Sequence, residues 1–179
     1  PAYDLVAPFS GVFNGQGFAI KGIQWTYNVT DAASHLYGLF GAIKDATIKN
    51  LVLGAEGDQI TIVGSNANVI AVGALVGHAE SSTISGIINN VSVVLADKNA
   101  EVPGDNPDAT LMMLGGIAGT FRAPMTVGSK DEPVKNYGNV KTGTITNTAN
   151  GGTGMNVAGV VAFTVGVKDT EMTLDYCYN

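Results

Sequence analysis

The chain has 179 residues, of which 45% are hydrophobic and 13% are charged, and it carries a formal net charge of −6. This composition excludes an intrinsically disordered chain. Nine basic residues against fifteen acidic ones, with no basic cluster, argue against nucleic-acid binding. Abundant Val, Ile and Thr, together with 24 glycines, predict an all-β fold that is one domain or one segment of a longer one.

The two ends of the chain bear on its location and redox chemistry. The first residue is Pro1 rather than Met, which indicates either a removed leader or a segment of a longer chain, and both interpretations fit an exported protein. No apolar run reaches the roughly 18–20 residues that cross a bilayer, so we expect no membrane span. The single cysteine, Cys177, allows no intrachain disulfide, and its place between two tyrosines predicts a buried, unreactive thiol.

The N-terminal region predicts two strands joined by a tight turn at Asn14–Gly17, whose glycine spacing does not fit a phosphate-binding loop. Trp25 and Tyr27 follow at alternate positions, on one side of a further strand. Aromatic faces stack on sugar rings, so these two side chains are candidates for a carbohydrate platform. The alternative is that they pack in the core.

A short phrase of the form Gly-x-apolar-x recurs four times along the chain. Its copies lie at 38–41, 73–77, 115–119 and 159–162. A second phrase follows each copy, at 47–53, 83–89, 134–139 and 174–179. Apolar residues alternate in several of these phrases, which predicts strands with one buried face. In the third repeat, 122–133 is predicted to be an inserted loop.

Two strand phrases in each repeat of ~40 residues predict coils of roughly 20 residues, two to a repeat, which stack and share one core. The sequence therefore predicts a right-handed parallel β-helix, a solenoid of about eight coils that is near 40 Å long. The repeat units are placed at about 9–53, 54–95, 96–140 and 141–179. A β-sandwich is the alternative fold.

The phrase at 9–23 resembles "F-x-G-x-F-D-G-N-G-H-x-I-x-G-L", which opens many bacterial surface β-solenoids with GLUG-type repeats. The four Gly-x-apolar-x phrases resemble the GLUG repeat itself, and the last residues resemble its usual ending, "I-x-N-C-Y-N". The resemblance covers about residues 9–179 and departs at Ala162, where a closing glycine is expected. It implies a secreted or cell-surface, adhesin-like protein, and it supplies no catalytic residues.

The sequence thus favours a non-catalytic extracellular or surface-exposed module that binds or presents a surface for carbohydrate or protein ligands. Two alternatives stay open, a polysaccharide-cleaving lyase or hydrolase and a purely structural spacer. A glycan-cleaving enzyme needs paired carboxylates, whereas Asp31, Asp45, Glu80 and Asp169 are scattered singly. The open ends of such a rod also predict end-to-end association or further domains of the same chain.

An acidic stretch offers candidate ligands for a calcium site, because calcium takes six to eight oxygen ligands. These candidates are Asp97, Glu101, Asp105 and Asp108. Their spacing matches no EF-hand, so the alternative is a plain solvated loop. No other metal or cofactor is predicted, since His35 and His78 lack a fitting third ligand for zinc. This stretch and 122–133 are the long excursions where we first expect a ligand.

Asparagines recur near the end of the second phrase in each repeat. They are Asn50, Asn89, Asn139 and Asn179. One interpretation is a polar binding strip. The one we favour is an asparagine ladder, in which stacked amides hydrogen-bond to each other and to turn backbone.

Overall fold

The structure, a computed structural model, describes residues 7–30, 33–63, 69–96, 111–143 and 154–179. These residues form strands and no helix, as the composition predicted, and so contain no helix that could cross a membrane. The strands are β1 (Val12–Asn14), β2 (Ala19–Ile20), β3 (Gln24–Asn28), β4 (Ser34–Tyr37), β5 (Phe40–Lys44), β6 (Thr47–Leu53), β7 (Gln59–Val63), β8 (Val69–Gly73), β9 (Val76–Asn89), β10 (Ser92–Leu95), β11 (Leu111–Gly115), β12 (Ala118–Val127), β13 (Val134–Asn136), β14 (Val140–Thr142), β15 (Gly154–Ala158), β16 (Val161–Val165), β17 (Met172–Leu174) and β18 (Cys177–Tyr178).

The strands form three sheets. Sheet A has the order β1-β6-β9-β12-β16, and β2, β5, β13, β17 and β18 pair alongside this path. Sheet B has the order β3-β7-β10-β14, and sheet C has the order β4-β8-β11-β15. Every pairing between these strands is parallel, which does not fit the antiparallel sandwich considered as an alternative.

The chain visits the three sheets in the same order in each repeat. From β6 in sheet A it continues to β7 in sheet B and β8 in sheet C, and then returns to sheet A in β9. Each strand pairs with the equivalent strand of the neighbouring repeat, as when Thr47 pairs with Thr83. Paired strands therefore lie one whole repeat apart along the chain.

The prediction of two stacked coils in each repeat is wrong. The two phrases of one repeat do not form successive layers, because both lie in sheet A. In the second repeat they form a single strand, β9, which runs from Val76 to Asn89. The chain then passes through sheets B and C before it returns to sheet A, so one passage through the three sheets takes a whole repeat.

The third repeat also differs from its prediction at 122–133. Much of this segment is strand, because β12 continues to Val127 with a register shift between Arg122 and Met125. Arg122 pairs with Glu80 before the shift, and Lys135 pairs with Ile88 after the turn. The number of residues between paired positions is therefore larger after the turn than before the shift. The extra residues lie at that shift and in the turn that follows Val127.

The main core lies between the sheets and consists of aliphatic side chains from alternate strand positions. Its members on neighbouring strands stack in columns, such as Ile48 on Ile84 and Ile60 on Val93. Their complete burial follows from the period-two alternation of β7, and from that of β6 on either side of an interruption at Asn50. Burial of a side chain of this size stabilises the fold by about 1.5–3 kcal/mol.

Sheet C is buried on both faces in its middle strands. Val69, Ala71 and Met113 form a second apolar cluster on the side away from the main core. Glycines of sheet A let the backbones approach there, since a Cβ on Gly119 would lie 2.6 Å from the Val72 nitrogen. These glycines explain why β8 and β11 read as nearly continuous apolar runs.

Candidate functional site

An asparagine ladder lies in sheet A, at the ends of β9 and β13 and directly after β18, and it determines which side chains point inward there. Asn89 Nδ2 donates to Asn136 Oδ1 at 2.7 Å, and Asn136 Nδ2 donates to Asn179 Oδ1 at 2.7 Å. Asn136 is also the partner of the Gly138 backbone, donating to its carbonyl and accepting from its N–H. The ladder interpretation is confirmed for Asn89 and Asn179.

The other two predicted ladder members are wrong. In the third repeat the strand register places Asn136 beside Asn89, and Asn139 lies exposed beyond the strand. In the first repeat Leu53 occupies the ladder position, because it pairs with Asn89. Asn50 instead has a positive φ of 54°, a backbone conformation that asparagine tolerates better than most residues.

The ladder also determines which side chains face outward. Because Asn136 is directed inward and buried, its neighbours Lys135 and Tyr137 face the surface. Tyr137 is 66% exposed. Tyr178 precedes the last ladder asparagine and pairs in register with Lys135. Two tyrosines and a lysine therefore meet on one outer face of sheet A.

The turn after β12 completes this face and is anchored to β9 through Glu132. The Glu132 carbonyl accepts a 2.9 Å hydrogen bond from the Gly86 N–H. The Glu132 carboxylate accepts a 2.6 Å hydrogen bond from the hydroxyl of Ser85. These bonds hold Lys130 and Pro133 beside the strands, and Gly128, with φ of +75°, begins the turn.

Together these side chains line a groove of about 290 Å³. Its lining consists of Lys130, Pro133, Lys135, Tyr137 and Tyr178, and we call it the tyrosine–lysine groove. The volume is just below the range for small-molecule sites, about 300–1,000 Å³. Tyrosine rings provide flat apolar faces with a polar tip, and lysines provide cationic hydrogen-bond donors. These are the kinds of contact that proteins use to hold a sugar ring.

The predicted carbohydrate platform at Trp25 and Tyr27 lies elsewhere. Both side chains are on the same side of β3, as the alternation predicted, and both pack against the main core. Tyr27 stacks on Tyr37 with ring centroids 4.0 Å apart, and burial raises the pKa of Tyr27. Their surroundings favour the packing interpretation, and sugar binding by these two residues stays a prediction.

The calcium candidates Asp97, Glu101, Asp105 and Asp108 lie outside the described residues, so calcium binding there stays a prediction. Within the described ranges, no three His, Cys, Asp or Glu side chains group as metal ligands would.

A row of three charged side chains crosses sheet A, and a buried histidine lies two residues before its middle member on β9. Glu80 lies between Lys44 and Arg122, with N–O distances of 3.2 and 3.1 Å. Burial alone would raise the pKa of Glu80, but hydrogen bonds and charge from the two cations outweigh it and lower the pKa. His78 contacts the Thr120 hydroxyl at 2.5 Å, and burial lowers its pKa despite the nearby Glu80. Lys44, Glu80 and Arg122 therefore form an ion-pair network with a structural role, and His78 lies near it.

Cys177 is half-buried against the main core. Burial, with a further effect of the Asp175 charge, raises the pKa of its thiol. A thiol with a raised pKa is a poor nucleophile near neutral pH. Cys177 is only partly buried, where full burial was predicted, and its lack of reactivity stays a prediction.

Sequence inspection missed the tyrosine–lysine groove as a site. Its residues come from one predicted loop and from the second phrases of two successive repeats, and only the strand register brings Lys135 beside Tyr178. Part of the signal was present, because Lys130 and Pro133 belong to the excursion 122–133, where a ligand was expected.

The chain matches no protein-family model, no curated protein and no solved structure. The likeness to GLUG-type repeats stays a prediction that is based on the sequence phrases alone.

Proposed function

We propose that this chain is a parallel β-helix, a solenoid with one coil per repeat, which serves as a non-catalytic carbohydrate-binding module on a bacterial surface. Three features support the solenoid: the fixed order of visits to sheets A, B and C, the parallel pairing, and the separation of one repeat between partners. A right-handed coil follows from the general preference of parallel crossover connections. Five strands along sheet A correspond to about 20 Å of stack, half the length first expected.

The observation that carries the binding function is the tyrosine–lysine groove. Tyr137 and Tyr178 are 66% and 50% exposed, although large aromatic side chains on a folded surface are normally turned inward. The ladder and the Glu132 anchor hold the strands and the turn beneath them, so the aromatic surface is arranged before a ligand arrives. Preorganisation of this kind reduces the entropic cost of binding.

Secretion and display on a bacterial cell are proposed from the resemblance to GLUG-type surface proteins. The adhesin-like role is consistent with a small binding groove on the outer face of a stack. The absence of an assigned catalytic pair leaves the enzyme alternative to experiment, and the test below includes it.

The test is a glycan-array screen of the purified protein in calcium and again in EDTA. It is followed by titration calorimetry with the best glycan for the wild type and the double variant Tyr137→Ala/Tyr178→Ala. Each ring contact contributes about 0.5–1.5 kcal/mol, so the double variant is expected to lose at least about five-fold in affinity. The variant Phe18→Ala, which removes an exposed ring outside the groove, is the matched control and should bind as wild type does.

Four results would overturn the proposal. Absence of binding to any glycan favours the structural spacer. If the double tyrosine variant and Phe18→Ala lose affinity equally, the groove is not the binding site. If binding is lost in EDTA, the binding site is assigned to the acidic stretch 97–108. Release of new sugar ends during incubation would make the protein an enzyme.

A further inference from the structure

Two lysines of an acidic chain lie in one small groove. The chain has nine basic residues against fifteen acidic ones, yet Lys130 and Lys135 both line the tyrosine–lysine groove. In the described part of the chain, neither ammonium group lies within ion-pair distance of a carboxylate. Elsewhere in sheet A, by contrast, Lys44 and Arg122 are both paired with Glu80.

Two acidic residues lie between these lysines in the chain, and neither forms an ion pair with them. Asp131 is exposed and is not part of the groove lining. The Glu132 carboxylate accepts a 2.6 Å hydrogen bond from Ser85 on β9, and its backbone carbonyl is bound to the Gly86 N–H. The groove therefore keeps two cationic side chains beside its two rings.

We propose that the groove selects acidic sugars, in which a ring stacks on tyrosine while its carboxylate or sulfate group binds Lys130 and Lys135. This inference rests on the proposed carbohydrate-binding function and adds the class of ligand. Lysine binds an anionic oxygen by charge-assisted hydrogen bonds, which are stronger than neutral ones. The rings provide the sugar contact and the lysines provide the charge selection.

The experiment compares ligands that differ only in charge. Calorimetry or surface plasmon resonance measures the wild-type protein with a uronic-acid oligosaccharide and its methyl ester, and with a sulfated oligosaccharide and its desulfated form. The acidic member of at least one pair is expected to bind ten-fold more tightly or better. The pair that shows the difference identifies the anionic group, and the preference should weaken as salt is raised.

Matched variants separate local charge from net charge. Lys130→Gln/Lys135→Gln is expected to bind acidic and neutral partners equally, and to keep the wild-type affinity for the neutral one. Lys21→Gln/Lys141→Gln removes the same two charges from exposed positions outside the groove, and should keep the ten-fold preference. All of these side chains are at least partly exposed, so far-ultraviolet circular dichroism should show the same fold in each variant.

The outcomes distinguish this inference from the function on which it rests. Equal wild-type binding of acidic and neutral partners would overturn the acidic selection and leave carbohydrate binding in place. A preference that survives in Lys130→Gln/Lys135→Gln, or that disappears equally in the control, would also overturn it. No binding to any glycan, charged or neutral, would overturn the proposed function itself.

Discussion

At the residue scale, Asn136 connects the core to the candidate site. Its side-chain amide bridges Asn89 and Asn179 and closes the turn at Gly138, and it is buried with 2% exposure. A buried amide stabilises a fold only when its donors and acceptors are paired, and here each has a partner. The same residue directs Lys135 and Tyr137 outward, so the ladder has a structural role and a positioning role.

We therefore expect Asn136→Ala to lower the free energy of unfolding by about 1–3 kcal/mol, because the Asn179 oxygen and the Gly138 backbone lose their ladder partner. Urea denaturation followed by circular dichroism measures this change. The matched control is Asn139→Ala, an exposed asparagine on the same segment, for which we expect a change below about 0.5 kcal/mol. A control loss as large as that of Asn136→Ala would disprove the ladder register.

The ladder also shows how far the sequence alone could lead at this scale. The recurrence of asparagine near the end of the second phrase correctly predicted a ladder at Asn89 and Asn179, which follow the same alternation of apolar positions. The third repeat contains two asparagines close together, Asn136 and Asn139, and spacing alone cannot choose between them. The choice depends on the extra residues in the turn after Val127, whose effect on register is visible only in the pairing of β9 with β13.

At the scale of elements, a column of small residues joins sheet A to sheet C. Gly41, Gly77 and Gly119 occupy equivalent register positions on β5, β9 and β12, and Ala162 follows on β16. The glycine that closes the Gly-x-apolar-x phrase lies within a strand, where the missing Cβ permits close contact with the backbone of sheet C.

Gly119→Ala is expected to lower the free energy of unfolding by about 1–3 kcal/mol, the usual cost of overpacking. The new Cβ would lie 2.6 Å from the Val72 nitrogen and 2.7 Å from the Gly77 oxygen, so backbone atoms would have to shift. Thermal and urea denaturation measure the effect. Gly166→Ala is the matched control, because no heavy atom lies within 4 Å of the added Cβ.

For the control we expect a stability that is unchanged or raised by up to about 1 kcal/mol, since alanine restricts the unfolded chain. If Gly119→Ala is as stable as wild type, the close contact between sheets A and C is not required. If both variants lose stability equally, the effect comes from backbone propensity and not from packing.

At the scale of the whole molecule, the spacing between equivalent strands was visible in the sequence, but the path of one repeat through three sheets was not. Phrase spacing located strand segments that pair with each other in sheet A, because each repeat contributes to that sheet. It could not show that the two phrases of a repeat are collinear, since one long strand such as β9 and two stacked strands have the same alternation. Sheet C was also hard to assign, because burial on both faces removes the alternation from β8.

The layer spacing can be tested with engineered cysteines in a Cys177→Ala background. Thr83 and Thr126 belong to successive repeats and pair in register on β9 and β12. Neighbouring strands are about 4.8 Å apart, within the range of about 4.4–6.8 Å between Cα atoms that a disulfide bridges. We expect Thr83→Cys/Thr126→Cys to form an intrachain disulfide on mild oxidation, detected by mass spectrometry of non-reduced peptides.

In the control Thr61→Cys/Thr83→Cys, the positions are closer in sequence but belong to sheets B and A, so no bridge should form. A bridge in the control alone would restore the shorter coil, with two layers to a repeat, and exclude one repeat per layer.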